Sequence, residues 1–301
     1  MKENSDICIL ILTCDRYFPC ANLTLMMLKK LWKQHPKIFI CGLSGSISEE
    51  TVIPFTVNEK DWIGIAHQAV SSLLAQGYKY CYLILDDHPP VAQCNEKYLN
   101  DVLPTLARKL NATVVSMVGW DQIRVHKGMK LGKDDDYLLR NDPSYRWIFN
   151  LHPAYWNIAC LIEILEITMP LGISDRSARM FESHASSAET PMPEYLRRGS
   201  YRVCGDRYAA TGKWFCNSLI RKSILIGLHC VRLVTKMIGR EILLKQIDNK
   251  AKLYTDYLNG PYPMFWSGLM QNGKVHMNAV RFLRLTGLEN FAERAEKLKC
   301  S

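Results

Sequence analysis

Lys79–Leu85 reads KYCYLIL and runs directly into Asp86-Asp87-His88-Pro89-Pro90. The apolar run is short and rich in β-formers, as expected of a strand buried on both faces. It ends without a transition, so two carboxylates and an imidazole are delivered at the mouth of a hydrophobic element. Ile7–Thr13 (ICILILT) is a second continuous run of this kind, and it too empties into polar residues, Thr13-Cys14-Asp15-Arg16-Tyr17.

Working outward from these two runs, strand and helix signals alternate. Cys20–Trp32 places Leu23, Met26, Met27, Leu28 and Leu31 at helical spacing, and Lys37–Cys41 is a short strand closed by Gly42. A turn-rich stretch follows. Asp61 can cap a helix from Trp62 to Ala75, which Gly77 ends. Tyr98–Leu110 reads as helix and Ala112–Val118 as strand. Such alternation predicts an α/β domain with a mostly parallel sheet and helices on both faces. Ligands of such sheets sit beyond the carboxyl ends of the strands, where the strand order switches.

The later chain is less regular. Residues 128–144 read as loop. Trp147–Trp156 (WIFNLHPAYW) is aromatic-rich and precedes a helix over Asn157–Ile167, and Gly172–Gly212 is irregular. Ser218 to about Leu258 reads as one long helix, Gly260–Gly273 as an aromatic turn region, and His276–Leu298 as a final helix.

The 301 residues are 48% hydrophobic and 22% charged, which excludes a disordered, collagen-like or coiled-coil chain and allows a proper core. The formal charge of +9 is not spread evenly. Residues 1–212 are neutral, while residues 213–252 carry nine Lys/Arg against Glu241 and Asp248. This asymmetry points to an anionic partner. On a helical wheel Arg221, Lys222, His229, Arg232, Lys236 and Arg240 share one stripe, opposite a broad apolar face that includes Leu228, Val234 and Ile238. That pattern suits an anionic membrane surface against the 221–245 helix. The same pattern would serve a helix packed on the domain with a solvated stripe. The stripe has no interleaved aromatics, so nucleic acid is not expected.

The 11 cysteines form no CxxC pair, as expected of reduced thiols in the cytoplasm. Met1–Asp6 lacks the layout of a secretory leader, and there is no apolar run of about 18 residues. The expected location is therefore cytoplasmic and peripheral on the inner face of the cell membrane.

Adjacent carboxylates at the end of a buried strand repel each other unless a cation or hydrogen-bond donors compensate. A divalent ion bridging a diphosphate would do so, and hard oxygen ligands suit magnesium or manganese. A solvated turn at Pro89-Pro90 is the plainer explanation of the same residues. No glycine-rich loop follows the first strand, which argues against a dinucleotide site and against most nucleotidyltransferases.

The opening strand ending in C-D-x-Y, the later Trp62 helix and the strand ending in D-D resemble the GT-A glycosyltransferases, most closely a bacterial group with a D-D-H variant of their D-x-D motif. The resemblance covers residues 7–91 well and 147–182 loosely. It implies a GT-A domain over residues 1–212 and a basic helical C-terminal extension over 213–301. It implies that Thr13, Cys14, Asp15, Tyr17, Trp62 and Asp86 hold the nucleotide, that Asp87 or His88 meets a divalent metal, and that His152, Tyr155 and Trp156 meet sugar or acceptor. An inverting enzyme needs a carboxylate to take the acceptor's proton. Glu182 is the first candidate and Asp121, after the fourth strand, the second. The implied activity is transfer from a nucleotide sugar, with a UDP-sugar as the expected donor, to a glycan or lipid-linked acceptor. The alternatives are a nucleotidyltransferase on sugar phosphates and an inactive membrane-docked scaffold.

Overall fold

The computed structural model describes residues 6–43, 51–117, 129–130, 138–145, 147–170, 176–203, 218–271 and 273–298. The first half is β1 (Ile7–Leu12), α1 (Phe18–Leu31), β2 (Lys37–Cys41), β3 (Thr51–Ile53), α2 (Trp62–Ala75) and β4 (Tyr80–Leu85). A π-turn at Tyr98–Val102 leads into α3 (Leu103–Lys109), then β5 (Val114–Ser116), β6 (Met129–Lys130), β7 (Leu138–Arg140) and β8 (Ala154–Asn157). Next come α4 (Ile158–Thr168), α5 (Ala178–Ser186), α6 (Glu194–Arg198) and β9 (Ser200–Val203). The C-terminal part holds α7 (Ser218–Met237), α8 (Glu241–Thr255), the short strands β10 (Tyr257–Leu258), β11 (Met264–Phe265), β12 (Met270–Gln271) and β13 (Lys274–Val275), and α9 (Met277–Leu285) and α10 (Glu289–Glu296).

Nine strands form one sheet in the order β3-β2-β1-β4-β8-β5-β9-β7-β6. All run the same way except β7 and β8. The sheet is therefore mostly parallel and Rossmann-like, with β8 inserted antiparallel between β4 and β5. Side chains alternate along each strand. In β1, Ile7, Ile9 and Ile11 face a core closed by α1 and α3, while Cys8, Leu10 and Leu12 face one closed by α2, α4 and α5. A third core lies on the outer side of α1, where Cys20, Leu23 and Met27 pack against Tyr257, Phe265, Val280 and Phe282. The described residues from Tyr257 to Leu298 thus fold back onto the first helix.

The chain steps outward from β1 to β2 and β3, and α2 then returns it to β4 on the other side of β1. The strand order reverses between β1 and β4, so a crevice opens there at their carboxyl ends. Thr13 and Asp86 are the residues that follow those two strands.

Several expectations are corrected. The aromatic segment ends in a strand, β8, because four alternating residues are too few to show a period against the helix that follows. Within the segment read as irregular lie α5, α6 and β9, and β7 lies in the segment read as loop. The long basic helix is two helices. Gly239, at φ +72°, stops α7, and Arg240 donates back to the Thr235 carbonyl at 3.4 Å. The final helix breaks in the same way at Gly287.

Candidate active site

The floor of the crevice is the bond between the two strand ends. Thr13 Oγ1 donates to Asp86 Oδ2 at 2.7 Å. The Thr13 N–H is tied to the Cys41 carbonyl at 3.0 Å, and the Thr24 hydroxyl of α1 donates to the Asp86 carbonyl. Burial, with the neighbouring Asp87 charge, pushes the Asp86 carboxyl up to about 7, against the pull of the Thr13 bond. Cys14 is half-buried, and burial raises its thiol. Asp15 and Tyr17 lie in a short 3₁₀ turn at the rim. Asp15 is exposed, and Tyr17 leans on the core shared by α1 and the C-terminal segment.

Asp87 keeps about 20% of its side chain exposed and holds His88 Nδ1 on Oδ1 at 2.6 Å. The C-terminal segment closes over this pair. The Leu269 N–H donates to the Asp87 carbonyl at 2.7 Å, and the Tyr262 hydroxyl to the His88 carbonyl at 2.9 Å. Gly268 lies so close that a Cβ there would fall 2.7 Å from the Asp87 carbonyl oxygen and 2.8 Å from Oδ2. Its φ of +66° also belongs to the region that glycine alone adopts freely.

His88 and His152 meet edge to face at 5.3 Å, and His152 stacks on Trp266 at 3.8 Å. The Trp266 backbone favours the protonated form of both imidazoles. Burial pushes His88 down, but the charge and hydrogen bond of Asp87 outweigh it and its pKa is raised. His152 has no carboxylate partner among the described residues, and burial with the His88 charge lowers it to about 3. The two rings are therefore shifted in opposite directions, His88 on Asp87 toward the protonated form and His152 toward the neutral one.

Glu182 enters from α5. Its Oε1 accepts the Leu151 N–H at 2.6 Å, one residue from His152. Burial raises its pKa, opposed by the Leu151 bond and by the charge of His88. Trp62 is the first residue of α2. It leans on Phe181 at 5.4 Å and so packs against the helix that carries Glu182.

Two expected sugar contacts are not brought to the site. Tyr155 stacks between Tyr80 and Tyr82, and Trp156 lies in the opposite core, each essentially without exposure. The register explains it. β8 runs away from the acidic edge, pairing Tyr155 with Tyr82 and Trp156 with Cys81, so only His152 at its start reaches the crevice. Asp121 lies outside the described residues. Thr24, Tyr262, Trp266 and Gly268 were not anticipated. The sequence signal of the last three was the density of Gly and aromatics in Gly260–Gly273, which reads as a turn and not as the cover of a distant site.

Among the described residues no set of three His, Cys, Asp or Glu side chains is gathered to hold a metal ion. An all-protein cage is thus absent there. Magnesium-type ions, however, are commonly held by one or two carboxylates plus substrate phosphates. Asp87 fits that case: it is a partly exposed hard-oxygen donor at the crevice. His88 fits it poorly, since its Nδ1 is engaged by Asp87.

No family model matches the chain, and no curated protein matches it in sequence. Among solved structures, the chain is similar to 4-diphosphocytidyl-2C-methyl-D-erythritol synthase from Anaerococcus prevotii DSM 20548, at 11% identity and a TM-score of 0.35, over 58% of this chain and 80% of that one.

Proposed function

We propose that the chain is a GT-A-type glycosyltransferase that moves a sugar from a nucleotide sugar, with UDP-sugars as the first candidates, to a glycan or lipid-linked acceptor. The observation that carries this reading is the bonded Thr13–Asp86 floor at the strand-order switch, with Asp87 beside it and Glu182 held on the Leu151 N–H next to His152. Asp86 and the rim residues Cys14, Asp15 and Tyr17 would hold the nucleoside. Asp87 would hold a magnesium or manganese ion shared with the diphosphate, which when bound neutralises charge on the leaving group. His88 fixes the Asp87 carboxylate and adds a positive charge near the diphosphate. Glu182, with a raised pKa and near the neutral His152, would accept the proton of the acceptor hydroxyl if the reaction inverts. In this reading the catalytic unit spans residues 1–212, and the 213–301 extension completes it by laying Tyr262, Trp266 and Gly268 over the acidic tripeptide.

Calorimetric titration of UDP with and without manganese tests the reading. We expect manganese-dependent binding that Asp87→Asn abolishes, with circular dichroism unchanged because Asp87 lies at a sheet edge. Equal affinity in the variant, or no binding of any nucleoside diphosphate, would overturn it.

A further inference from the structure

Far from the crevice, α7 presents an apolar surface to water. At 100° per residue the arc from Leu233 through Ile226, Met237, Val234 and Ile238 to Val231 spans about 160° and contains no charged residue. These side chains are exposed: Met237 by 88%, Ile226 by 65% and Ile238 by 63%. Thr235, buried, marks the inward side of the helix. The break at Gly239 brings α8 back beside α7, so Ile242, 78% exposed, joins Met237 and Ile238 at the hairpin tip. A soluble helix normally turns such a stripe to the core, and an exposed apolar patch of this kind marks an interaction surface.

The flanks of the arc identify the occupant. Lys236 and, just past the helix end, Arg240 lie on the Leu233 side of it, and Lys245 follows on α8; all three are exposed. Arg232 lies on the opposite side of α7, where it pairs with Asp248 at 2.8 Å. A second copy of the chain would bring like charges together across the patch. Nucleic acid would meet the cations and leave the apolar arc wet. A bilayer with anionic headgroups satisfies both, because apolar side chains enter the acyl boundary while Lys and Arg meet the phosphates. Among the described residues no helix is long and apolar enough to cross a membrane, so the hairpin would lie in the interface.

We propose that the α7–α8 hairpin is a docking arm that seats on an anionic bilayer by its tip and the exposed arc of α7. The inference does not rest on the transferase reading, and it would bring any lipid-linked acceptor to the protein. The full chain is floated with phosphatidylcholine vesicles and with vesicles containing phosphatidylglycerol. The wild type should float with the anionic vesicles at low salt, bind the neutral ones far less, and dissociate as salt rises. The triple variant K236Q/R240Q/K245Q should bind the anionic vesicles about 100-fold more weakly. The double variant M237S/I238S, which alters only exposed side chains, should weaken binding to both kinds. A wild type that stays in solution with anionic vesicles overturns the proposal, as does a triple variant that binds undiminished. A stable dimer in sedimentation that M237S/I238S dissociates would assign the patch to a second copy and overturn it as well. UDP titration is unaffected by either result, so the two readings fail separately.

Discussion

The end of β4 and the tip of the α7–α8 hairpin each break a rule of soluble proteins, in opposite directions. At Asp86–His88 polar groups are drawn toward the interior and are held by hydrogen bonds from Thr13, Thr24, Tyr262 and Leu269. At Met237–Ile242 large apolar groups stand in water. An enclosed carboxylate pair is costly without compensation, and exposed Ile and Met are costly without a cover. Under the two proposals each cost has its partner, a charged ligand at the first site and an apolar surface at the second. They differ in rigidity. The acidic site is overdetermined by close contacts, whereas the hairpin is tied down mainly along one side.

The largest effect that would break this comparison is catalytic. Glu182→Gln keeps the size and the Leu151 hydrogen bond but cannot take a proton. Turnover should fall about 10²–10⁴-fold while donor binding persists. Since the Glu182 pKa is raised, the wild-type rate should climb with pH through a point above the ordinary carboxylate range, and the variant's residual rate should lack that limb. A variant with near-full turnover would remove Glu182 from the chemistry.

Next in size is the cover of the acidic site. Gly268→Ala forces a side chain into the left-handed region and against the Asp87 carbonyl, a backbone atom that cannot swing away. Left-handed strain and overpacking each cost about 1–3 kcal/mol. Chemical denaturation should therefore show a loss of about 2 kcal/mol or more. A neutral outcome would mean that Gly260–Gly273 is as loosely held as the hairpin.

That cover was the least legible part of the site. The sheet floor was readable because β1 and β4 are long continuous apolar runs whose polar exits stand out, and Thr13, Asp86 and Asp87 follow from them directly. His152 was readable only within its aromatic segment, and the same reasoning wrongly extended to Tyr155 and Trp156. Aromatic density does not distinguish a ring that faces a sugar from one stacked inside a sheet, and the strand that decides it, β8, is four residues long. Tyr262, Trp266 and Gly268 lie about 175 residues beyond the pair they cover, a contact that no local pattern reports. In the hairpin the apolar face and its cations were visible on a helical wheel, but which side is wet is a matter of packing.

The third test is a pH dependence. His152 is neutral in the fold down to about pH 3, beneath the raised His88 and near Glu182. In the unfolded chain it takes up a proton near its ordinary pKa of about 6.5. Below that pH the unfolded state binds the extra proton, so stability falls as pH falls, by at most about 1.4 kcal/mol per pH unit from this residue. His152→Gln removes the group. Urea midpoints from pH 7 to 4.5 should then show a flatter loss in the variant than in the wild type. Equal slopes would mean that the ring is hydrated and that the crevice is more open than its stacking on Trp266 indicates.

The smallest effect lies at the other glycine. Gly227 sits within α7, exposed, with nothing within 4 Å of where its Cβ would be. A helical glycine costs roughly 0.5–1 kcal/mol relative to alanine, because it gives up more backbone freedom on folding. Gly227→Ala should thus raise the helicity of α7 and stabilise the hairpin by up to about 1 kcal/mol, read as slower amide exchange along α7. The same methyl added at Gly268 is expected to do the reverse. The pair isolates the difference between the two regions, since the chemical change is identical and only the surroundings differ. If Gly227→Ala destabilises the protein instead, α7 is packed against another surface in solution, and the arc that includes Met237 and Ile238 is not free to meet a bilayer.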